Sequence, residues 1–171
     1  KVLIYHRIED RHVEYLKNKF PDYDFKACTK QEDMEKLIVD AEVLISFKCT
    51  EDMLKKANNL KWVQALSAGV DTFPLEEIRK RGIILTNGRG IHKIQMSEYA
   101  IAVLIMLSRN FHIFMRNQIN KKWDSKIQQS EINGATLGIL GLGSIGKEIA
   151  KKASFMGMRV IGVKNTSESV P

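Results

Sequence analysis

The chain has 171 residues, of which 44% are hydrophobic and 27% are charged, and it carries a formal net charge of +7. This composition is that of an ordinary globular protein, and it argues against collagen-like, low-complexity and intrinsically disordered classes. The longest strongly apolar stretch, residues 99–107, is far short of the roughly 20 residues that a membrane span needs, and the charged N-terminus does not resemble a signal peptide, so we expect neither membrane insertion nor secretion.

Short apolar runs alternate with amphipathic segments through the first half of the chain. The runs predict strands at residues 2–5, 41–47, 62–66 and 82–87, and the segments between them predict helices at 10–20, 29–39, 74–81 and from residue 50 onward. Strands rich in β-branched residues that alternate with helices indicate a parallel sheet covered on both faces.

Two helix starts are predicted from capping residues. Thr29 and Glu32 have the spacing of a capping box, which predicts that a helix begins at Thr29. Thr50 is followed by Glu51 and Asp52, and anionic side chains are favoured near the exposed amides of a helix N-terminus. We therefore predict a second cap at Thr50.

The pattern changes after residue 96. Residues 97–117 predict one long helix that is apolar nearly all round, and residues 120–133 predict a polar surface excursion with Trp123 as its large apolar anchor. A strand at 136–140, a glycine turn, a helix at 145–156 and a strand at 159–163 follow. The predicted domains are residues 1–96 and 97–171.

The glycine turn has the pattern G-x-G-x-x-G between a predicted strand and a predicted helix, which is the context that a dinucleotide-binding motif requires. In that motif the glycines allow the tight turn, the approach of a pyrophosphate and close helix packing, and the phosphates lie at the positive end of the helix. The predicted cofactor-binding residues of the turn are Gly141, Leu142, Gly143, Ser144, Ile145 and Gly146. The alternative is a tight connection that uses glycine without binding a ligand.

The same turn nearly matches a phosphate-binding P-loop, because Gly146 is followed by Lys147. The next residue is Glu148, where a P-loop needs a serine or threonine for Mg²⁺. A carboxylate there would repel the phosphates, which argues against a kinase or ATPase.

The second strand of a dinucleotide-binding unit normally ends in an acidic residue that binds the adenosine ribose. Here it ends in Lys164, Asn165 and Thr166, and an ammonium group suits a 2′-phosphate better than a ribose diol. We therefore add these three residues to the predicted cofactor site and favour NADP over NAD. A solvated lysine at a strand end is the alternative.

Several motifs together carry a family likeness: residues 67–71 (SAGVD), 84–87 (ILTN) with Gly90, 97–100 (SEYA), Trp123 and 136–146 (TLGILGLGSIG). In order and spacing the chain resembles the D-isomer-specific 2-hydroxyacid dehydrogenases. The resemblance implies an α/β protein, in which a flavodoxin-like parallel-sheet domain with the substrate site precedes a Rossmann-type dinucleotide-binding domain, here incomplete.

The resemblance also implies that backbone N–H groups of the Ala68-Gly69-Val70 loop hold a substrate carboxylate, as an anion-binding nest does. The predicted substrate-binding residues are Ser67, Ala68, Gly69 and Val70. The alternative is a strand-to-helix turn with Asp71 as a local cap. In the family a hydride moves between the nicotinamide and C2 of a small 2-hydroxy or 2-keto acid, with a histidine, a glutamate and an arginine as the catalytic groups.

The resemblance places those three groups beyond Pro171, so we assign no catalytic residue and no metal site within this chain. We expect a truncated, inactive form of a cytoplasmic enzyme that is a homodimer at full length. The two cysteines, Cys28 and Cys49, lack metal-binding spacing and fit a reducing compartment.

Other candidates are weaker. Three residues at the ends of predicted elements could line a cleft: His6 after the first strand, Lys48 after the strand at 41–47, and His92 before the long helix. The simpler role is solvation for His12 and packing for His112.

Three further functions stay open to different degrees. A non-catalytic nucleotide-sensing or corepressor-like module has the same architecture. A flavodoxin-like receiver or flavin-binding domain in the first half is a second alternative. Its receiver form is disfavoured, because His6 and Arg7 precede Glu9 and Asp10 where clustered carboxylates are needed. Nucleic-acid binding is disfavoured, because no aromatic interleaving or helix-turn-helix pattern accompanies the basic residues.

Overall fold

A computed structural model describes residues 1–165. The chain forms two compact units, one from Lys1 to Arg89 and one that begins at Gly90. In the described part, no helix has the length and apolar character needed to cross a membrane.

Unit 1 is a five-stranded, all-parallel sheet with helices between the strands. Its strands are β1 (Val2–Tyr5), β2 (Phe25–Cys28), β3 (Val43–Ser46), β4 (Trp62–Ala65) and β5 (Ile84–Thr86). Its helices are α1 (Asp10–Lys19), α2 (Gln31–Leu37), α3 (Glu51–Lys56) and α4 (Leu75–Lys80). The strand order β2-β1-β3-β4-β5 is that of flavodoxin. The predicted flavodoxin-like parallel sheet is confirmed.

Alternating residues of β1 enter two hydrophobic clusters on opposite faces of the sheet, as the two-residue period of a strand requires. Leu3 belongs to the larger cluster, which includes residues of α2, α3 and α4. Val2 and Ile4 belong to the smaller one, against which α1 packs. On the same face as this smaller cluster, α1 does not cover β5, where Ile84 is 63% exposed. Within unit 1, the predicted cover on both faces therefore holds for the β1 side of the sheet only.

Two local expectations in unit 1 differ in outcome. The predicted cap at Thr50 is confirmed, since its Oγ1 accepts a hydrogen bond from the N–H of Met53 at 3.2 Å. The predicted cap at Thr29 is wrong, because α2 begins at Gln31 after Lys30 and has no side-chain cap. Thr29 and Lys30 form the connection from β2 to α2. The sequence analysis does not predict β2, which is an edge strand of the sheet.

Unit 2 contains α5 (Lys93–Ser108), α6 (Phe111–Ile119), β6 (Thr136–Leu140), α7 (Ser144–Phe155) and β7 (Arg159–Val163). The two strands are parallel and pair from Thr136 with Arg159 to Leu140 with Val163. Their bounds coincide with the prediction. Helix α5 packs on α7, where Lys152 Nζ donates a hydrogen bond to the buried Ser97 Oγ at 2.6 Å.

The long helix predicted at 97–117 is two helices. Asn110 separates them in the left-handed conformation, with a φ of 55°, and its Nδ2 donates a hydrogen bond to the Gln128 carbonyl at 2.6 Å. Asparagine tolerates this conformation better than most residues. Because α5 begins at Lys93, the predicted border at residue 97 lies inside a helix, and the functional division into 1–96 and 97–171 stays a prediction.

The predicted anchoring role of Trp123 is wrong. Its side chain is 91% exposed in the segment between α6 and β6, so it buries little apolar area within unit 2.

Candidate functional site

The glycine turn joins β6 to α7. Gly141 follows β6 directly with a φ of 100°, in the left-handed region that favours glycine. Its N–H donates a hydrogen bond to the Val163 carbonyl at 2.9 Å, which ties the start of the turn to the end of β7. The chain therefore reverses direction at the carboxyl edge of the β6–β7 sheet, which is the edge where open parallel sheets bind ligands.

Gly146 is required by packing within the protein. It is buried in the first turn of α7, and a Cβ added there would lie 2.2 Å from the backbone oxygen of Gly141. A backbone atom cannot move aside as the end of a flexible side chain can. Gly146 therefore allows α7 to pack closely against the glycine turn.

Gly143 differs from Gly146, because a Cβ added to it would meet no heavy atom within 4 Å. Its φ of −77° is also open to other residues, so neither packing nor conformation within unit 2 explains a glycine here. The space in front of Gly143 is open, and it lies at the N-cap position of α7.

The N-terminus of α7 presents donors without side-chain acceptors. No side chain caps the helix, and its first turn contains no acidic residue. The N–H of Lys147 donates to the Gly143 carbonyl at 3.0 Å, so the N–H groups of Ser144, Ile145 and Gly146 precede this bond. These donors and the positive end of a 12-residue helix suit a phosphate. Leu142 lies across β7, with its side chain against Gly162.

The next turn of α7 bears on the P-loop alternative. Glu148 forms an ion pair with Lys152 at 3.6 Å, and the Lys152 ammonium is also bonded to Ser97. The carboxylate is thus part of the α5–α7 packing. This arrangement agrees with the sequence argument against a metal–phosphate site.

The second predicted part of the cofactor site follows β7. Lys164 is half-buried and Asn165 is exposed, while Thr166 lies outside the described residues. Because Val163 pairs with Leu140, the residues after β7 and the glycine turn leave the sheet at the same edge. The structure therefore brings Lys164 and the turn of residues 141–146 to one side of unit 2.

The predicted carboxylate loop follows β4 in unit 1. Ala68 and Gly69 are exposed, and Ser67 and Val70 are half-buried. Asp71 does not cap α4, which begins at Leu75 without a side-chain cap. The alternative interpretation, a strand-to-helix turn in which Asp71 caps the helix, is therefore not supported.

The carbonyl groups of this loop are held by hydrogen bonds. Gly88 N–H donates to the Ser67 carbonyl at 2.9 Å, and Asn87 Nδ2 donates to the Ala68 carbonyl at 2.8 Å. Ser67 Oγ donates to the Gly69 carbonyl at 2.6 Å. The sequence analysis includes Asn87 only in the family motif and assigns it no contact with the loop, because the two follow different strands.

Other candidates reach the same edge of unit 1. His6 follows β1 and packs edge-on against Phe47, with ring centroids 4.6 Å apart. Lys48 follows β3 and places its ammonium 5.4 Å from the centroid of the Tyr5 ring. Since all strands of this sheet are parallel, these residues share an edge with the loop of residues 67–70.

The remaining histidines have local surroundings. His12 is exposed on α1, and His92 Nδ1 lies 2.7 Å from Gln95 Nε2 at the start of α5. His112 Nδ1 is buried in α6 without a hydrogen-bond partner in the described part of the chain. Within residues 1–165, no group of three or more histidine, cysteine, aspartate or glutamate side chains could hold a metal ion.

The cysteines are poor nucleophiles. Burial raises the pKa of the Cys49 thiol to about 11. Burial also raises the pKa of Cys28, and the nearby Asp33 carboxylate adds to this effect. Reactive cysteines have lowered pKa values, so neither thiol is suited to covalent catalysis.

Comparisons with known proteins agree on one family. The family model described as D-isomer specific 2-hydroxyacid dehydrogenase, catalytic domain, matches residues 2–170. The D-3-phosphoglycerate dehydrogenase of Methanocaldococcus jannaschii is 35% identical over 138 residues, which cover 78% of this chain and 26% of that protein.

Two solved structures are similar over nearly the whole chain. A D-isomer specific 2-hydroxyacid dehydrogenase family protein from Aeromonas salmonicida has a TM-score of 0.85 at 34% identity, over 99% of this chain and 55% of that one. A D-lactate dehydrogenase from Aquifex aeolicus, complexed with NAD and lactic acid, has a TM-score of 0.81 at 25% identity, over 98% of this chain and 52% of that one.

This chain thus spans 26% of the curated relative and about half of each solved structure. The family match nevertheless runs through both the loop of residues 67–70 and the glycine turn, and it extends over almost all of the sequence. The chain belongs to the D-isomer specific 2-hydroxyacid dehydrogenase family.

Proposed function

We propose that this chain supplies the substrate-binding and cofactor-binding surfaces of an NAD(P)-dependent oxidoreductase, which transfers a hydride between the nicotinamide and a small D-2-hydroxy acid or 2-keto acid. The observation that carries the proposal is the uncapped N-terminus of α7 behind Gly143, a glycine that packing within unit 2 does not require.

The dinucleotide would bind through its pyrophosphate at the N–H groups of residues 143–146. The donors point out of the helix end, the helix dipole favours the negative charge, and the absence of a side chain at Gly143 lets the phosphates come close. When bound, the nicotinamide supplies the hydride chemistry. The relative from Aquifex aeolicus, solved with NAD and lactic acid, supports this assignment.

The substrate would bind through its carboxylate at the loop of residues 67–70. The carbonyl groups of Ser67, Ala68 and Gly69 already accept hydrogen bonds from the protein, so the loop offers donors rather than acceptors to a ligand. A carboxylate accepts hydrogen bonds only, which matches this surface.

For the coenzyme we propose a preference for NADP over NAD. The support is Lys164 at the end of β7, with Asn165 beside it, where an acidic residue would serve NAD. An ammonium group binds a 2′-phosphate by charge and by hydrogen bonds.

We further propose that residues 1–171 alone bind ligands but do not turn over, because we assign none of the family's three catalytic groups within them. For the whole protein we propose a cytoplasmic homodimer. Support comes from the free thiols of Cys28 and Cys49 and from apolar side chains exposed on α5 and α6, namely Leu107, Phe111, Met115 and Ile119.

Titration of the chain with NADH and NADPH, followed by nicotinamide fluorescence, tests the proposal. We expect both to bind and NADPH to bind more tightly. Lys164→Ala should weaken NADPH binding about tenfold and NADH binding much less, since a charged hydrogen bond is worth roughly 1.5–3 kcal/mol before solvent screening.

Arg159→Ala is the matched control, because it removes the same charge at the other end of β7. Equal binding of the two coenzymes would remove the case for NADP, and no binding of either would overturn the dinucleotide site. Hydride transfer by the intact protein that contains this chain separates an enzyme from a nucleotide-sensing module.

A further inference from the structure

We propose that Asn87, the Ser67 hydroxyl and the Gly88 amide are positioning groups, which together turn three consecutive backbone N–H groups toward the substrate carboxylate. The inference rests on the proposed function, because it assigns a cause to the donor surface of the loop at residues 67–70. It adds Asn87 and Gly88, which lie outside that loop and act through its carbonyl groups.

The geometry of the peptide bond supplies the mechanism. In a trans peptide the C=O of one residue and the N–H of the next point in opposite directions within one plane. No peptide bond in the described part of the chain is cis. A hydrogen bond that holds a carbonyl therefore also sets the direction of the following N–H.

Three such bonds follow one another in this loop. Gly88 N–H holds the Ser67 carbonyl at 2.9 Å, which directs the N–H of Ala68 away from Gly88. Asn87 Nδ2 holds the Ala68 carbonyl at 2.8 Å, which directs the N–H of Gly69 away from the asparagine.

The third bond comes from within the loop. Ser67 Oγ holds the Gly69 carbonyl at 2.6 Å, which sets the direction of the Val70 N–H. Val70 in turn accepts a hydrogen bond at its carbonyl from Phe73 N–H at 2.9 Å, which holds the end of the loop. The N–H groups of residues 68–70 are thus oriented before any ligand arrives, and such preorganisation lowers the entropic cost of binding.

The asparagine is itself held in place. Its Oδ1 accepts a hydrogen bond from Arg89 N–H at 3.3 Å, which leaves Nδ2 directed at Ala68. The backbone brings the two loops together, because β4 and β5 pair in parallel, with Gln64 opposite Thr86, and leave the sheet at the same edge. Asn87 is exposed, so its replacement removes little buried area.

The test uses chains labelled with ¹⁵N at Ala, Gly and Val, with pyruvate as the carboxylate probe. In the wild type we expect pyruvate to shift the amide signals of Ala68, Gly69 and Val70. Asn87→Ala and Ser67→Ala should each raise the dissociation constant for pyruvate about five- to tenfold. Ser67→Thr, which keeps the hydroxyl, should restore binding.

Asn59→Ala is the matched control, because Asn59 is an exposed asparagine of unit 1 in the connection between α3 and β4. Thermal unfolding of each variant monitors the fold separately. Residual dipolar couplings of the three N–H vectors, measured without ligand, should change in Asn87→Ala and stay as in the wild type in Asn59→Ala.

The outcomes separate the two proposals. If pyruvate shifts none of the three amides in the wild type, the proposed substrate site is wrong, while the couplings still measure the orientation. Pyruvate binding that is equal in the wild type, Asn87→Ala and Ser67→Ala would overturn the positioning role. Unchanged couplings in Asn87→Ala would overturn it as well.

Discussion

Adding one methyl group to either of two glycines of the same turn should affect two different properties, coenzyme binding at Gly143 and stability at Gly146. In Gly143→Ala the new Cβ meets no heavy atom within 4 Å, and the backbone conformation suits alanine. We expect the free energy of unfolding to change by less than about 0.5 kcal/mol. The methyl group would enter the open space in which we propose that the pyrophosphate binds, so the dissociation constant for NADH should rise about tenfold or more.

In Gly146→Ala the new Cβ would lie 2.2 Å from the Gly141 carbonyl oxygen and 3.3 Å from a side-chain carbon of Ile139. Either α7 or the turn must shift, and overpacking of this kind costs about 1 to 3 kcal/mol. In a protein of this size the melting temperature should fall by several degrees, at roughly 2–4 °C for each kcal/mol.

Thermal or urea unfolding measures the first quantity and a fluorescence titration with NADH measures the second, both on the same preparations. The titration is run well below the melting temperature of Gly146→Ala, so that unfolded protein does not distort it. Wild-type NADH affinity in Gly143→Ala would refute the approach of the pyrophosphate at this residue. Wild-type stability in Gly146→Ala would refute the close contact between α7 and the turn.

Three further predictions concern stability. Burial raises the Cys49 pKa from 9.0 to about 11, so between these pH values the folded protein keeps a proton that the unfolded chain loses. The free energy of unfolding should therefore decline between about pH 9 and pH 11, by on the order of 2 kcal/mol. Urea titrations across this range should give a flatter profile for Cys49→Ala, and parallel profiles would contradict the shift. The Arg81 guanidinium donates to two carbonyls at the end of α3, so Arg81→Met should cost about 1–3 kcal/mol in urea unfolding; an equal loss in the exposed neighbour Arg79→Met would count against this reason. Ser97→Ala removes the buried hydroxyl that accepts a hydrogen bond from Lys152, and it should lower the free energy of unfolding by about 1–3 kcal/mol. A melting temperature equal to that of the wild type would show that the α5–α7 contact does not depend on this hydrogen bond.

Elements set by neighbouring residues were predictable from the sequence. The bounds of β6 and β7 coincide with the prediction, because an apolar strand, three glycines at fixed spacing and a second apolar strand carry their signals within about 30 residues. The Thr50 cap is local in the same way, since donor and acceptor are three residues apart. The family motif marks the loop of residues 67–70 for the same reason.

Features that depend on distant residues were not predictable in this way. Strand β2 has only a weak alternating pattern, and its place at the sheet edge follows from pairing with β1, for example Phe25 with Val2. The break between α5 and α6 occurs at Asn110, whose side chain bonds to Gln128 beyond α6. In both cases the stabilising partner is distant in sequence, so a pattern of neighbouring residues does not include it.

The division is the same for the candidate sites. The sequence by itself determined which backbone segments are candidates for ligand binding, because glycine spacing and strand ends are properties of consecutive residues. Only the tertiary structure decided how those segments are held, by Asn87 across two strands and by the Gly141–Gly146 contact across the turn. Orientation of a peptide group depends on the atom at the other end of its hydrogen bond, and folding alone brings that atom near.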